Sequence, residues 1–130
     1  MNDLGRIVDD IKGRFVLIVG DVMLDEYIWG GVTRISPEAP VPVVAFDRST
    51  TLPGGAANVA ANVASLGGRP LLGGAVGDDA RAAQLSAALR EHGVGDNGLV
   101  VVATRPTTSK TRIVAQEQQI RQGEGEVADA

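Results

Sequence analysis

Residues 53–62 read PGGAANVAAN, and this stretch decides how the chain around it folds. Two adjacent glycines meet a run of alanines in which Asn58 and Asn62 stand four residues apart. The start of a helix binds anions or hydroxyl groups, and glycine lets a ligand approach the backbone closely. The same pattern also describes a glycine hinge in front of a tightly packed helix whose asparagines face solvent. These ten residues alone leave both interpretations open.

The composition of the chain narrows its class. It has 130 residues, 44% hydrophobic and 22% charged, which is typical of a globular protein with one core. The net charge of −4 argues against binding to nucleic acid or to anionic membranes. Cysteine is absent, which excludes disulfides and thiolate metal sites. Because neither a signal peptide nor an apolar run of about 18 residues is seen, we expect a cytoplasmic protein.

Strand and helix patterns alternate around the opening stretch. FVLIVG at 15–20 is a continuous apolar run, which predicts a strand buried on both faces of a parallel sheet. The predicted helices cover residues 3–12, 55–67 and 79–92, and the further strands cover 70–77, 98–104 and 108–116. We expect Asp78 and Asp79 to cap the third helix and the last two strands to pair antiparallel.

Residues 26–51 differ from the rest of the chain. Two β-rich segments there are interrupted by SPEAP at 36–40, and proline is confined to edge strands and bulges. The segment therefore predicts edge strands or an excursion from the main sheet. The whole order indicates an α/β layer architecture with a small β-appendage. Two crossover helices rarely cover both faces of a parallel sheet, so the fold looks incomplete by itself.

Acidic residues follow the first buried strand. Asp21 and Asp25 come just after its carboxyl end, where open α/β sheets bind their ligands. Carboxylates at that edge accept hydrogen bonds from sugar hydroxyls. The alternative is that Asp21 caps a turn and Asp25 is solvated. The residues alone do not decide between the two.

Three other motifs are weaker. Lys110 and Arg112 stand two apart, on one face of a strand, which suits a phosphate or a carboxylate but also an ordinary solvated face. GVGDNG at 93–98 matches G-x-G-x-x-G, yet a helix precedes it and a strand follows, so we interpret it as a loop that ends a helix. His92 has no partner at metal-ligand spacing, and we assign it no role.

These residues carry a family likeness. GGAANVAANVASLGG, after a strand ending in Gly-Asp and a β-excursion, resembles the first signature of the PfkB, or ribokinase-like, carbohydrate kinases. VGDVMLDEYIWG, TRISPEAPVPVV and SKTRIVAQEQQ look most like one branch, the kinases of D-glycero-D-manno-heptose 7-phosphate. Those enzymes serve ADP-heptose synthesis for lipopolysaccharide. The likeness runs from about residue 14 to residue 120.

The resemblance implies an architecture. Residues 1–120 would be the N-terminal part of a ribokinase-like α/β domain, a helix-covered and mostly parallel sheet with a small β-lid. Residues 26–51 match the lid, which covers the sugar and in many relatives pairs with the lid of another subunit, giving a homodimer. Residues 121–130 would be a polar tail.

The resemblance also implies roles for single residues. Asp25 and Asn58 match binders of sugar hydroxyls, with two glycines allowing close approach. The two basic residues match positions that face the phosphate of a sugar-phosphate substrate. Together with the aspartate at the strand end, the candidate substrate-binding residues are Asp21, Asp25, Gly54, Gly55, Asn58, Lys110 and Arg112.

This sequence also departs from the pattern of the family. The second signature, Asp-Thr-x-Gly-Ala-Gly-Asp, is absent from these residues. In the family it supplies an anion hole and the catalytic aspartate, and the ATP pocket lies in the same half. The intact enzyme would use ATP and Mg²⁺, whereas we expect this chain to bind neither, to hold no catalytic residue or metal, and to be inactive alone. The rival interpretations are a fragment of another sugar or nucleoside kinase and a non-catalytic sugar-binding or dimerisation module.

Overall fold

The computed structural model describes residues 3–35 and 42–117. These residues fall into two compact units, the first made of residues 3–25 and 51–110 and the second of residues 26–35, 42–50 and 111–117. The SPEAP segment and the polar tail predicted over 121–130 lie outside the described residues.

The helices and strands follow the order predicted for them. The helices are α1 (Asp3–Ile11), α2 (Ala56–Ser65) and α3 (Ala80–Glu91). The strands are β1 (Phe15–Val19), β2 (Val22–Ile35), β3 (Pro42–Gly55), β4 (Arg69–Val76), β5 (Leu99–Val101) and β6 (Ser109–Glu117). Gly93 follows the last turn of α3 and has a φ of 77°. This conformation ends the helix, as predicted from the interpretation of residues 93–98 as a loop.

The first unit contains a parallel sheet in the order β1-β4-β5. The chain passes from β1 to β4 through α2 and from β4 to β5 through α3, in the same direction each time. Right-handed crossovers in one direction place both helices on one face of the sheet. In agreement, Leu72 of β4, Ala60 of α2 and Leu89 of α3 belong to the same buried cluster.

The core of that cluster is aliphatic. Leu24, Leu85 and Leu89 are fully buried, and the buried alanines Ala57 and Ala60 let α2 lie close to the sheet. None of the four aromatic residues of the chain is needed to fill it. Small side chains thus set a short distance between α2 and the strands beneath it.

The other face of the parallel sheet is uncovered. Phe15, Leu17 and Val19 of β1 are 68%, 70% and 74% exposed, and the register puts Leu71 and Val100 on the same face, 50% and 62% exposed. We call these five residues the open face. The prediction that β1 is buried on both faces is therefore wrong for the described residues, because both helices that cross the sheet lie on the opposite side.

A second sheet has the order β3-β2-β6. The expectation that residues 108–116 pair with 98–104 is wrong, since β6 lies beside β2 instead. The Leu24 amide donates to the carbonyl of Thr108 at 3.0 Å, which brings the chain to β2 just before β6 begins. In the part of the chain that the structure describes, no helix is long and apolar enough to cross a membrane.

Candidate functional site

Two glycines form the junction between β3 and α2. Gly55 is the N-cap of α2, has φ 59° and ψ −132°, and gives the helix no side-chain cap. Backbone of this kind is rarely adopted by other residues. A Cβ at Gly55 would also collide with the carbonyl oxygen of Asp21. The helix can therefore start here only because residue 55 is glycine.

Asp21 ties the end of β1 to the start of α2 through its backbone. Its carbonyl oxygen accepts the amide of Ala56 at 2.8 Å, which satisfies the first amide of the helix. The Asp21 side chain is exposed. The Asp21 backbone thus supports the helix start, whereas both interpretations of its side chain, a turn cap and a sugar binder, stay predictions.

Asp25 carries the most unusual polar atom of the described chain. Its Oδ1 is buried, and no hydrogen-bond donor reaches it among the described residues. A Cβ built on Gly54 would stand 2.6 Å from this oxygen, so the carboxylate lies directly against the glycine backbone. A buried acceptor without a donor costs about 1–3 kcal/mol, and such groups in native structures require an explanation. A ligand hydroxyl that donates a hydrogen bond to Oδ1 would provide that explanation.

The asparagines of α2 lie on its exposed side. Asn58 is in the first turn and Asn62 one turn later, and both are exposed, whereas Ala57 and Ala60 face the core. The two interpretations of the opening stretch therefore both describe part of the helix. Its alanines pack, and its asparagines remain accessible to a ligand at the helix start.

The two basic candidates fall in different units. Lys110 is exposed and ends the first unit, whereas Arg112 is exposed and belongs to the second. The guanidinium carbon of Arg112 lies 5.9 Å from the centre of the Tyr27 ring. Both residues are on β6, as the strand prediction requires, and their binding to a phosphate stays a prediction.

The second unit places a row of rings and cations across its sheet. The Tyr27 and Trp29 rings stack with centroids 6.4 Å apart, and the Arg48 guanidinium lies 4.6 Å from the Trp29 ring centre. The Trp29 indole also donates to the Thr50 hydroxyl at 3.3 Å. With Arg112 on Tyr27, arginines cover both ends of the stacked pair. These contacts stabilise the sheet through cation–π attraction.

One set of contacts near the site was missed from the sequence. The Asp79 side chain caps α3 as predicted, accepting from the Ala82 amide at 2.9 Å, but it also accepts two hydrogen bonds from Thr107. These bonds hold the pKa of Asp79 below its usual range, with the Thr107 hydroxyl as the largest cause. Thr107 lies 28 positions further along the chain. No pattern among neighbouring residues predicts a hydrogen-bond partner this distant in the chain.

The expectation that this chain binds neither ATP nor Mg²⁺ stays a prediction. Among its described residues, no group of three or more histidine, cysteine, aspartate or glutamate side chains converges to hold a metal ion. The Asp25 oxygen that lacks a donor is an acceptor of hydrogen bonds and suits a hydroxyl group.

Comparison with known proteins identifies the family. Residues 14–130 match the model of the pfkB family of carbohydrate kinases. The match covers nearly the whole chain, so the protein belongs to this family. Kinases of this family use ATP, and the resemblance drawn from GGAANVAANVASLGG is confirmed.

Curated relatives are similar over the same region. The chain is 47% identical over 123 residues to "Bifunctional protein HldE" of Caulobacter sp. strain K31, covering 95% of this chain and 25% of that protein. It is 46% identical over 114 residues to the protein of the same name from Helicobacter pylori, covering 88% of this chain and 25% of that protein. The chain thus spans about a quarter of the length of the curated relatives it matches.

Solved structures share the fold. A putative ribokinase from Agrobacterium tumefaciens superposes with a TM-score of 0.60 at 28% identity, over 78% of this chain and 32% of that one. Fructokinase from Xylella fastidiosa gives a TM-score of 0.58 at 30% identity, over 75% of this chain and 27% of that one. The predicted fold, an N-terminal part of a ribokinase-like α/β domain, is confirmed.

Proposed function

We propose that this chain is the sugar-binding part of a kinase for D-glycero-β-D-manno-heptose 7-phosphate. The intact enzyme would transfer the γ-phosphate of ATP to the C1 hydroxyl of the heptose, in the cytoplasmic synthesis of ADP-heptose for lipopolysaccharide. Family membership and the similarity to proteins named HldE support this proposal. The observation that carries it is the buried Oδ1 of Asp25, which has no donor among the described residues and lies against Gly54.

The buried acceptor oxygen of Asp25 suits a hydroxyl that donates a hydrogen bond and does not suit an anion. A hydroxyl that donates to Oδ1 would satisfy the buried acceptor. Gly54 has no side chain, and the Asp25 carboxylate occupies the space that a Cβ would need there. Asn58, exposed in the first turn of α2, has an amide that both donates and accepts, as neighbouring hydroxyls require. In this proposal Gly55 leaves the start of α2 without a side chain next to Asp25 and Asn58.

The basic residues of β6 are proposed to bind the phosphate that the substrate already carries. Lys110 would act as a point charge, and Arg112 as a fork with two parallel donors. The Tyr27 ring lies beneath the Arg112 guanidinium and limits the directions it takes. Arg112 is exposed, so it is accessible to an anion.

Residues 26–51 are proposed to be the lid of the kinase, and pairing of two lids would make a homodimer. Closure of a lid excludes water from phosphoryl transfer. No step of that transfer is assigned to the described residues, because the second signature of the family, which supplies the anion hole and the catalytic aspartate, does not occur among them. We therefore propose that the 130-residue chain binds sugar and does not turn over ATP.

Titration calorimetry tests the proposal. The 130-residue chain is titrated with D-glycero-β-D-manno-heptose 7-phosphate, and with fructose and ribose as comparison sugars. We expect the heptose phosphate alone to bind, and Asp25→Asn to weaken its binding about tenfold or more, because an amide nitrogen replaces one acceptor oxygen. Asp10→Asn on the exposed side of α1 is the matched control and should bind like the wild type.

Three outcomes contradict the proposal in different ways. Preference for fructose or ribose would assign the chain to another sugar kinase. Binding that survives Asp25→Asn unchanged would move the sugar away from Asp25. Failure of every sugar to bind, in a chain that elutes as a dimer from a size-exclusion column, would favour a dimerisation module.

A further inference from the structure

A hydrogen-bonded clamp stands at the carboxyl end of β4. We use this name for Gly77, Asp79 and Thr107. Asp79 Oδ1 accepts the Thr107 hydroxyl at 2.6 Å, and Oδ2 accepts the Thr107 amide at 2.9 Å. The Thr107 oxygen in turn accepts the Gly77 amide at 2.9 Å. Thr107 is 4% exposed, so its buried hydroxyl has both its donor and an acceptor site satisfied within the clamp.

Capping of α3 does not account for this arrangement. The cap uses one bond, from the Ala82 amide to Oδ1 of Asp79, and serine or asparagine would cap a helix equally well. The other two bonds of the carboxylate go to Thr107, and bonds to a charged acceptor are the stronger kind. The feature that requires an aspartate at position 79 is therefore its hold on Thr107.

Gly77 permits the close approach of the other two members. A Cβ at this position would stand 2.8 Å from the Thr107 nitrogen and 2.9 Å from Oδ2 of Asp79. It would also collide with the carbonyl oxygen of Arg105. Any side chain at residue 77 would push the segment that contains Thr107 away from β4.

The clamp holds the segment that leads to the candidate sugar site. Thr108, next to the clamp, accepts the Leu24 amide at 3.0 Å through its carbonyl. Leu24 is fully buried and directly precedes Asp25. β6 begins at Ser109, and Lys110 is its second residue. Asp25 is thus next to Leu24, and Lys110 is two positions from Thr108, so both candidate binding residues lie close to this hydrogen bond.

We infer that Asp79 is a positioning residue for the sugar site. Through Thr107 and the Thr108 carbonyl it fixes the backbone at Leu24, and so keeps the Asp25 carboxylate against Gly54. Asp79 does not itself touch the sugar. The nature of the ligand rests on the proposed function, whereas the mechanical link from Asp79 to Leu24 does not.

Hydrogen exchange of the Leu24 amide tests that link in the 130-residue chain without a ligand. Asp79→Ser keeps an oxygen that caps α3 and loses the reach to Thr107. Thr107→Val removes the hydroxyl and leaves the cap intact. In both variants we expect the Leu24 amide to exchange about tenfold faster or more, and the Leu89 amide in α3 to exchange as in the wild type. Asp78→Ser, at the exposed neighbouring position, is the control and should change neither rate.

Gly77→Ala opens the clamp by a different route and should give the same local effect. Unchanged exchange at Leu24 in all three variants overturns the inference. So does an equal acceleration at Leu24 and Leu89, because that pattern reports general loss of stability and no specific link to the site.

Affinity for the sugar phosphate provides the functional readout. We expect Asp79→Ser and Thr107→Val to bind D-glycero-β-D-manno-heptose 7-phosphate about tenfold more weakly than the wild type and the Asp78→Ser control. Wild-type affinity in both variants, despite faster exchange at Leu24, overturns the role of Asp79 at the site. A wild-type chain that binds no sugar contradicts the proposed function, and the exchange experiment then still decides the link.

Discussion

Oδ1 of Asp25 lies so close to Gly54 that a Cβ built on this glycine would stand 2.6 Å away from it. The contact joins the strand that carries the carboxylate to the strand that leads into α2. It also explains why a glycine is needed where the backbone itself has no unusual φ, since no contact of this kind occurs between a real Cβ and an oxygen.

Gly54→Ala should therefore destabilise the chain. Overpacking against Asp25 and Met23 predicts a loss of about 1–3 kcal/mol in the free energy of unfolding, measured by urea titration. Gly73→Ala is the matched control, because the nearest atom to its Cβ would be 3.7 Å away, an ordinary contact. Equal losses in the two variants would contradict the explanation.

The clamp makes stability depend on pH. The hydrogen bonds from Thr107 hold the pKa of Asp79 below the ordinary value of about 3.9, and Arg81 lowers it further. Ionised Asp79 therefore makes its full contribution to the free energy of unfolding at pH values above that ordinary pKa. This contribution is lost as the pH falls through the lower pKa of the folded state. Wild type should exceed Asp79→Asn in urea midpoint at about pH 5, with the difference shrinking towards about pH 2. A difference that stays constant over this range would show that the charge of Asp79 is not involved.

The open face should make the chain self-associate. Leu17 and Leu71 are partners in the register of β1 and β4 and are 70% and 50% exposed. Changing both to lysine should reduce association in sedimentation experiments, because charges on bare strands oppose pairing. Stability should change by no more than about 0.5 kcal/mol per site. Ile18→Lys, on the side packed against the core, should instead unfold the protein.

Trp29 is the only tryptophan of the chain, so its fluorescence reports on the second unit. Arg48→Met removes the cation that lies 4.6 Å from the indole ring. We expect a shifted emission maximum and a loss of about 0.5–1 kcal/mol in stability. Arg90→Met breaks an exposed ion pair with Asp96 in the first unit and should leave the emission unchanged. Equal spectra for both variants and wild type would contradict the stacking of Arg48 on Trp29.

Local patterns were sufficient to predict much of this fold. The glycine pair at residue 54 and the alanines after it predict the start and the packing side of α2, and Asp79 predicts the start of α3. These features depend on residues a few positions apart, whose steric and capping preferences act within one turn. The position of Asp25 after the first buried strand allowed a sugar-binding role, and the likeness to a known family then favoured it.

Pairing between distant segments was not predictable in the same way. β6 was expected beside β5 because sequential strands often pair, yet Thr107 is held by Asp79 and the chain continues along β2. Hydrophobic residues in β1 likewise predict burial on both faces but do not say which segment covers each face. The link from Asp79 to Leu24 joins residues far apart in the chain, and so it required a structure.

The direction in which the first sheet winds has a consequence for the location of the site. β4 and β5 both lie to one side of β1, and in the described residues the other edge of β1 pairs with no strand. A segment that covered the open face by right-handed crossovers would have to extend the sheet from that other edge, in the opposite direction. β1 would then mark the reversal of strand order, where open α/β sheets form their ligand crevice. The end of β1 leads directly to Asp21, so the bare face and the candidate sugar site follow from the same winding.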